Sequence, residues 1–256
     1  MLIHMTQWID FTGKVVLVTG SSRGIGAGMV EAFDRHGGRC VINYVDDPLG
    51  RNKADAQAVA ARLNDPLVVD CDVAKPESVA NMMDTIFRER GGLDVLVNNA
   101  GILRDRTIKK MTLDEWKSVL DVNLGGTFNC IQHGAAIMRP GGRIVSMASV
   151  AGSLGIFGQA NYASSKAAIM GLTRVAAREL ARQQITVNAI APGVIDTEMG
   201  RSIPEESVKK MLEQVPLGRL GKVEDVVDVA LFLCSAHAQY VTGQVIHVNG
   251  GFFMGG

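Results

Sequence analysis

Tyr162 and Lys166 stand four residues apart in an alanine-rich stretch with helical periodicity, a spacing that stacks two side chains on one face of a helix. A phenol with an ordinary pKa of about 10 exchanges protons poorly near neutrality. Favouring its ionised form requires about 1.4 kcal/mol per unit of change. A lysine ammonium about 4 Å away, at an effective dielectric of about 20, supplies on the order of 4 kcal/mol, roughly three pKa units before lysine desolvation is subtracted. The pair therefore predicts a tyrosine proton donor or acceptor tuned by a cation. The same spacing also fits an exposed lysine one turn beyond a half-buried tyrosine, so the choice falls to the elements that position the pair.

Those elements alternate. Residues 15–18 form a β-branched and leucine run that ends at Thr19 and Gly20, and residues 25–36 have helical periodicity until Gly37 and Gly38 stop it. In between, Gly20, Gly24 and Gly26 would let the backbone turn sharply, approach a pyrophosphate closely and offer a helix N-terminus to its charge. Their spacing departs from G-x-G-x-x-G, since Met29 stands where the third glycine belongs. Strand then alternates with helix: strands at 40–45, 67–69 and 95–97, helices at 52–63 and 77–90. A long helical region at 113–138 contains Asn123, and Gly141 and Gly142 precede a strand at 143–147 with Ser149 just beyond its end. After the tyrosine helix come a strand at 185–190, a turn at Pro192 and Gly193, a helix at 223–234 and a strand at 245–248.

This order predicts the α/β class: a doubly wound, Rossmann-type parallel sheet of about seven strands, with helices on both faces and ligand at the strands' carboxyl ends. One domain would span residues 1–256. Asp70, Cys71, Asp72 and Val73, then Asn98, Asn99, Ala100 and Gly101, would line one crevice there. The polar, proline-broken segment at about 197–221 would form a lid over substrate.

Composition narrows the function. The chain has 256 residues, 47% of them apolar, and its 26 basic side chains balance 26 acidic ones, which suits one substantial core and no nucleic-acid surface. Cys40, Cys71, Cys130 and Cys234 lack paired spacing and form no ligand pattern with the five histidines, so no metal and no disulfide framework is expected. No apolar run is long enough to span a membrane, and residues 1–10 lack the basic start and apolar core of a signal peptide. The expectation is a cytoplasmic protein that does not act on membranes, with residues 1–10 an N-terminal extension and Met5 a candidate start.

Taken in order, Thr19, Gly20, Gly24 and Gly26, then Asn98 to Gly101, Asn123, Ser149, Tyr162, Lys166, Pro192 and Gly193 resemble the short-chain dehydrogenase/reductases over essentially the whole chain. Within that family, residues 19–26, 102–105, 187–193 and 240–251 look most like those of 3-oxoacyl-[acyl-carrier-protein] reductases. The resemblance implies that Tyr162 protonates a carbonyl oxygen as hydride arrives, that Ser149 hydrogen-bonds the same oxygen, and that Lys166 lowers the tyrosine pKa and holds the nicotinamide ribose. Asn123 would hold a water that relays protons to Lys166. For the cofactor it implies Gly20, Ser22, Arg23, Gly24, Ile25 and Gly26 at the phosphates, Asp72 and the Val73 backbone at the adenine, and Asn98, Ala100 and Gly101 at the ribose. Pro192, Gly193, Ile195 and Thr197 would meet the nicotinamide end. Such an enzyme would reduce the 3-keto group of an acyl thioester, and the same groups would serve another alcohol and ketone, including an NAD-dependent 3-hydroxyacyl-CoA pair. A dinucleotide sensor without turnover is the remoter alternative, and it has no need of the whole set Asn123, Ser149, Tyr162 and Lys166.

Cofactor and partners follow from particular residues. An acidic side chain at the end of the second strand would accept from the ribose hydroxyls of NAD and repel a 2′-phosphate; here Tyr44 stands there, and Arg23 can pair with the phosphate. Asp46 and Asp47 follow closely and could restore an acidic pocket, so NADPH is favoured with NADH still open. On the tyrosine helix, Leu172, Val175, Ala176 and Leu180 form one apolar stripe, and Ala163, Ala167, Met170, Gly171, Ala177 and Ala181 another of mostly small residues. Two faces want two partners, the chain's own sheet and a neighbouring subunit; the resemblance implies a homotetramer. Arg174, Arg178 and Arg182 make a basic stripe suited either to solvent or to an acidic acyl carrier protein, although Gln183 occupies the place of the docking arginine common in carrier-dependent reductases.

Overall fold

Parallel strands cannot be joined by hairpins, so each needs a crossover, and the amphipathic segments supply them. The computed structural model describes residues 9–201 and 205–255. In it the chain runs β1 (Val15–Val18), α1 (Gly24–Arg35), β2 (Arg39–Tyr44), α2 (Arg51–Ala60), β3 (Leu67–Asp70), α3 (Pro76–Arg90) and β4 (Leu93–Asn98). Next come α4 (Leu113–Leu120), a π-helical turn (Asp121–Gly125), α5 (Gly126–Ile137), β5 (Met138–Met147), α6 (Ala151–Leu154) and α7 (Ala160–Leu180). The remainder is β6 (Thr186–Pro192), α8 (Glu198–Arg201), α9 (Glu205–Leu212), α10 (Val223–Cys234) and β7 (Val245–Val248). The strands of the described residues form one sheet in the order β3-β2-β1-β4-β5-β6-β7, every neighbouring pair parallel. Winding reverses between β1 and β4, so the loops leaving those two strands diverge and open a crevice at the carboxyl edge.

Burial on both faces explains why the strands read as continuous apolar runs. Along β1, Val16 and Val18 join Met29, Phe33, Val227 and Leu231 beneath α1 and α10. Val15 and Leu17 point the opposite way, onto Met82, Ile86, Ile131 and Ala176 from α3, α5 and α7. The two apolar layers hold the sheet edge rigid while the loops beyond it stay polar.

Several boundaries differ from the sequence expectation. The long helical region ends at Ile137, because Met138 is already extended (ψ 132°) and starts β5 five residues early; the register against β4 slips between Leu93 and Val95 to absorb Pro140 to Gly142. Pro192 is the last residue of β6, paired with Val248, rather than part of a turn. In the segment at 197–221 the chain forms α8 and α9; residues 202–204 of it, like Met1 to Trp8 with the candidate start Met5, lie outside the described residues. On α7, Leu172 and Leu180 pack with Ala176 as expected, but Ala177 joins that buried face and Val175 is 52% exposed, because it sits about 100° around the helix from Ala176. Ala167 and Gly171 are exposed on the other side.

Close approach at the crevice depends on Gly26. A Cβ there would lie 2.5 Å from the Gly20 carbonyl oxygen and 2.5 Å from Asn99 Nδ2, so the first turn of α1 can sit against the β1 loop only without a side chain. Met29, at the position of the missing third glycine, is buried in the core instead. Gly26→Ala is expected to destabilise the chain by about 1 to 3 kcal/mol, the usual cost of forcing backbone apart in a packed region. Urea unfolding of the two proteins measures it, and equal midpoints would show that α1 does not need this approach.

Candidate active site

At the end of β1 the backbone runs out of strand partners, and buried side chains take over. The Thr19 hydroxyl accepts from the Asn99 and Ala100 amides (3.0 and 3.1 Å), while Asn99 Nδ2 donates to the Thr19 and Gly20 carbonyls (2.9 and 3.0 Å). Asn43, buried in β2, accepts from the Gly20 amide at 3.0 Å and donates to the Tyr44 and Cys71 carbonyls. The loop after β1 is thereby tied to the loops after β2, β3 and β4. Gly20 and Gly24 take the left-handed conformation (φ 61° and 56°), Ser22 is buried, and Arg23 is exposed at the rim. Sequence reasoning overlooked Asn43; the signal was an amide between two apolar strand residues, Ile42 and Tyr44, where a buried strand offers it only backbone partners.

The chemistry-bearing side chains meet on α7. Tyr162 lies in its first turn, and burial pushes the phenol up to about 12, against a hydrogen bond with Ser149 that lowers it and the Asp105 charge that raises it further. Lys166, one turn on, is buried, lies 5.5 Å from the tyrosine ring centroid, and donates to the Met147 carbonyl at 2.6 Å. Burial brings its pKa down to about 8. Burial thus sets the direction for both groups, the phenol up and the amine down, and the ammonium is not among the influences that shift the phenol.

Asn123 is buried in the π-helical turn, and both atoms of its side-chain amide are bonded. Oδ1 accepts from the Ile102 amide at 2.8 Å, and Nδ2 donates to the Ile102 carbonyl (3.1 Å) and to Ser165 Oγ (3.2 Å), which itself donates to the Tyr162 carbonyl. The side chain thus ties the loop after β4 to α7, and its backbone carbonyl accepts from the Thr127 hydroxyl at 2.7 Å. Asn161, also overlooked in the sequence, donates to the Arg104 and Glu115 carbonyls and accepts from the Tyr162 amide. Gly101 completes the floor, since a Cβ there would stand 3.3 Å from Asn123 Oδ1 and 3.6 Å from Lys166 Nζ.

Towards the β2 side, Tyr44 ends its strand, and Arg23 reaches Asn52 and the Asp55 carboxylate (3.0 Å) on α2, with Glu198 of α8 at 3.9 Å. Asp47 accepts from the Leu49 and Asn52 amides at the start of α2, so one of the two nearby carboxylates is engaged in that turn. Asp72 accepts from the Ala74 amide and pairs with Lys75, and the Val73 carbonyl accepts from Asn129. On the opposite side, Gly193 passes so near Asn249 that a Cβ would lie 2.9 Å from its Cα, Ile195 is buried, and the Thr197 hydroxyl accepts from the Gly200 amide. Fit to a dinucleotide is testable within this crevice. Gly20 and Gly26 leave no room for side chains beside the loop, and Asn98 Oδ1 is buried without a partner while its Nδ2 bonds Ser146. The glycines make a backbone-lined cradle that fits a pyrophosphate.

Residues 20–253 match the family model described as enoyl-(acyl carrier protein) reductase. The chain belongs to the short-chain dehydrogenase/reductase family. It is 43% identical over 245 residues to the 3-oxoacyl-[acyl-carrier-protein] reductase FabG of Staphylococcus aureus (strain Mu50), covering 94% of this chain and 98% of that one. Similar enzymes of the same name from Aquifex aeolicus and Salmonella typhimurium are 44% and 38% identical, over 96% of this chain and 99% and 100% of theirs. Among solved structures, the Brucella melitensis short-chain dehydrogenase/reductase described as glucose/ribitol dehydrogenase superposes with a TM-score of 0.91 at 30% identity, covering 96% of this chain and 99% of that one. Membership makes the chain an NAD(P)-dependent oxidoreductase. Among the described residues no helix is long and apolar enough to cross a membrane.

A lysine that holds its proton less tightly folded than unfolded makes stability rise with pH between its two pKa values. For Lys166 that window runs from about 8 to 10.5. Below it the protonated amine carries its full burial cost, and above it neither state is charged. Lys166→Met removes this dependence, so the stability of the wild type relative to the variant is expected to increase across that window, read as the difference in Tm at successive pH values. A constant difference would mean that the buried amine titrates normally.

Proposed function

We propose that the protein reduces the 3-keto group of an acyl thioester with NADPH. The observation that supports this reading is the hydrogen bond between the Ser149 and Tyr162 hydroxyls, one helical turn from the buried Lys166. Two hydroxyls converging on one point suit an oxygen that gains negative charge only as the reaction proceeds, which is a carbonyl rather than a carbon–carbon double bond. The cofactor, when bound, supplies the hydride. Tyr162 gives its proton to the developing alkoxide, Ser149 donates to the same oxygen, and Lys166 stabilises the phenolate left behind and holds the nicotinamide ribose. Asn123 keeps the Ile102 loop and Ser165 in place beneath them, its carbonyl being the group able to hold a relay water. Gly20, Ser22, Gly24, Ile25 and Gly26 would hold the pyrophosphate, Asp72 and Val73 the adenine, Asn98, Ala100 and Gly101 the ribose, and Pro192, Gly193, Ile195 and Thr197 the nicotinamide.

Support for NADPH comes from the rim: Arg23 is a half-exposed guanidinium held by Asn52 and Asp55 of α2, Tyr44 rather than an acid ends β2, and Asp47 is engaged in the α2 turn. The likeness to a protein described as glucose/ribitol dehydrogenase favours one second reading, reduction of a free ketone or oxidation of a polyol on the same site. We further assign residues 197–221 as a substrate lid and Arg182, exposed at the end of α7, as the contact for an acyl carrier protein. The exposed Ala167 and Gly171 face of α7 serves a homotetramer, and the enzyme works in the cytoplasm.

Initial rates with acetoacetyl carrier protein, acetoacetyl-CoA, a crotonyl thioester and a cyclic ketone, each with NADPH and NADH, test the assignment; fastest turnover of the crotonyl or cyclic substrate would overturn it. Tyr162→Phe is expected to keep the fold and cofactor affinity while kcat falls by roughly two to four decades. Arg23→Ala is expected to weaken NADPH more than NADH. Equal losses for both cofactors, read by fluorescence titration, would make Arg23 a pyrophosphate or structural residue.

A further inference from the structure

We infer that the pocket between the second half of α7 and β7 is a binding site for an amphipathic anion: a carboxylate held by Arg174 and Arg178, with an alkyl chain laid along the apolar wall beside them. None of the residues given a catalytic or cofactor role lines this pocket. Arg174 lies twelve residues beyond Tyr162 on the same helix, about 18 Å along its axis, so occupancy of the pocket is separable from the reaction proposed above.

The pocket measures about 680 Å³, enough for a small organic molecule, and no acidic residue lines it. Its cations come from α7. Arg174 and Arg178 stand one turn apart on a single face, and the positions three and four away from either hold no acid. Among the described residues neither guanidinium has an ionic or hydrogen-bonding partner, so the pair leaves two positive charges uncompensated at the pocket. Like charges at this spacing repel, and apolar walls concentrate the field that they share. An anion relieves both, and a carboxylate suits the planar guanidinium because it accepts two parallel N–H bonds. Met170, Val245 and Phe253 line the pocket beside these charges. Phe253 packs against His247 with ring centroids 4.7 Å apart, and His247 Nδ1 is buried there without a partner. Burial holds the His247 pKa below its usual value, so near neutrality the ring adds a polar edge and no charge. A bare inorganic ion would leave the apolar side wet. An alkyl chain covers it and gains affinity in proportion to the area removed from water, which makes a fatty carboxylate a better fit than phosphate.

Octanoate is the probe, with octanol for the chain alone and acetate for the head alone, each titrated calorimetrically into the enzyme saturated with NADP⁺. Octanoate is expected to bind at least about tenfold more tightly than either. Arg174→Gln and Arg178→Gln are each expected to weaken octanoate by about three- to tenfold and to change octanol by less than about twofold. Salt at about 1 M is expected to act as these variants do, whereas Phe253→Ala should weaken octanoate and octanol alike. Equal binding of octanoate and octanol, or arginine variants that bind octanoate as the wild type does, would overturn the site. So would displacement of octanoate by acetoacetyl-CoA, which would put the probe in the crevice. Absence of octanoate binding would overturn it as well, and a sedimentation coefficient lowered in Arg178→Gln would then assign the pocket to a second copy of the chain.

Discussion

Taking a tyrosine and a lysine out of water on the same face of α7 is the constraint to which the rest of the site answers. Each group is less easily ionised inside than in solution, the phenol rising to about 12 and the amine falling to about 8. A buried amine left without acceptors would cost several kcal/mol, so the chain ends β5 with its Met147 carbonyl 2.6 Å from Nζ. The backbone around the pair is fastened with neutral groups, Ser165 to the Tyr162 carbonyl and Asn161 to its amide, which rigidify the turn without adding charge.

Parallel sheets leave a row of unfinished backbone groups at the carboxyl edge, and that explains why the crevice is lined with short polar side chains. Thr19, Asn43, Asn99 and Asn123 each bond backbone belonging to another loop. Amides and hydroxyls do this without adding charge. Glycine then appears where a side chain would fill the space, as at Gly26 and Gly101. Topology makes the opening, and these bonds hold it to one shape.

The sheet was legible in the sequence because its strands are buried on both faces and its helices are amphipathic: β1, α10 and β7 begin and end where the residue pattern changes. Less legible were places where a tertiary contact overrides a local signal. Pro192 reads as a turn, yet β6 continues to it because its pairing with Val248 fixes the register. Val175 reads as core, yet a rotation of one residue carries it into solvent. Tyr162, Lys166 and Ser149 were singled out by spacing and resemblance, while Asn43 and Asn161 were passed over. An amide signals nothing until its partners are known, and several of those partners lie between about 20 and 60 residues away in the chain.

Arg23 shows how the rim can remain selective without being rigid. Its guanidinium rests on Asp55 at 3.0 Å with both side chains about half exposed, the kind of pair that contributes about 0 to 1 kcal/mol once solvent screening is counted. A ribose 2′-phosphate brings nearly two negative charges and three acceptor oxygens to the same fork, a stronger partner than one solvated carboxylate. Under the proposed preference for NADPH, Asp55 and Asn52 therefore hold the guanidinium only loosely at the start of α2, and the phosphate joins or displaces them at little cost.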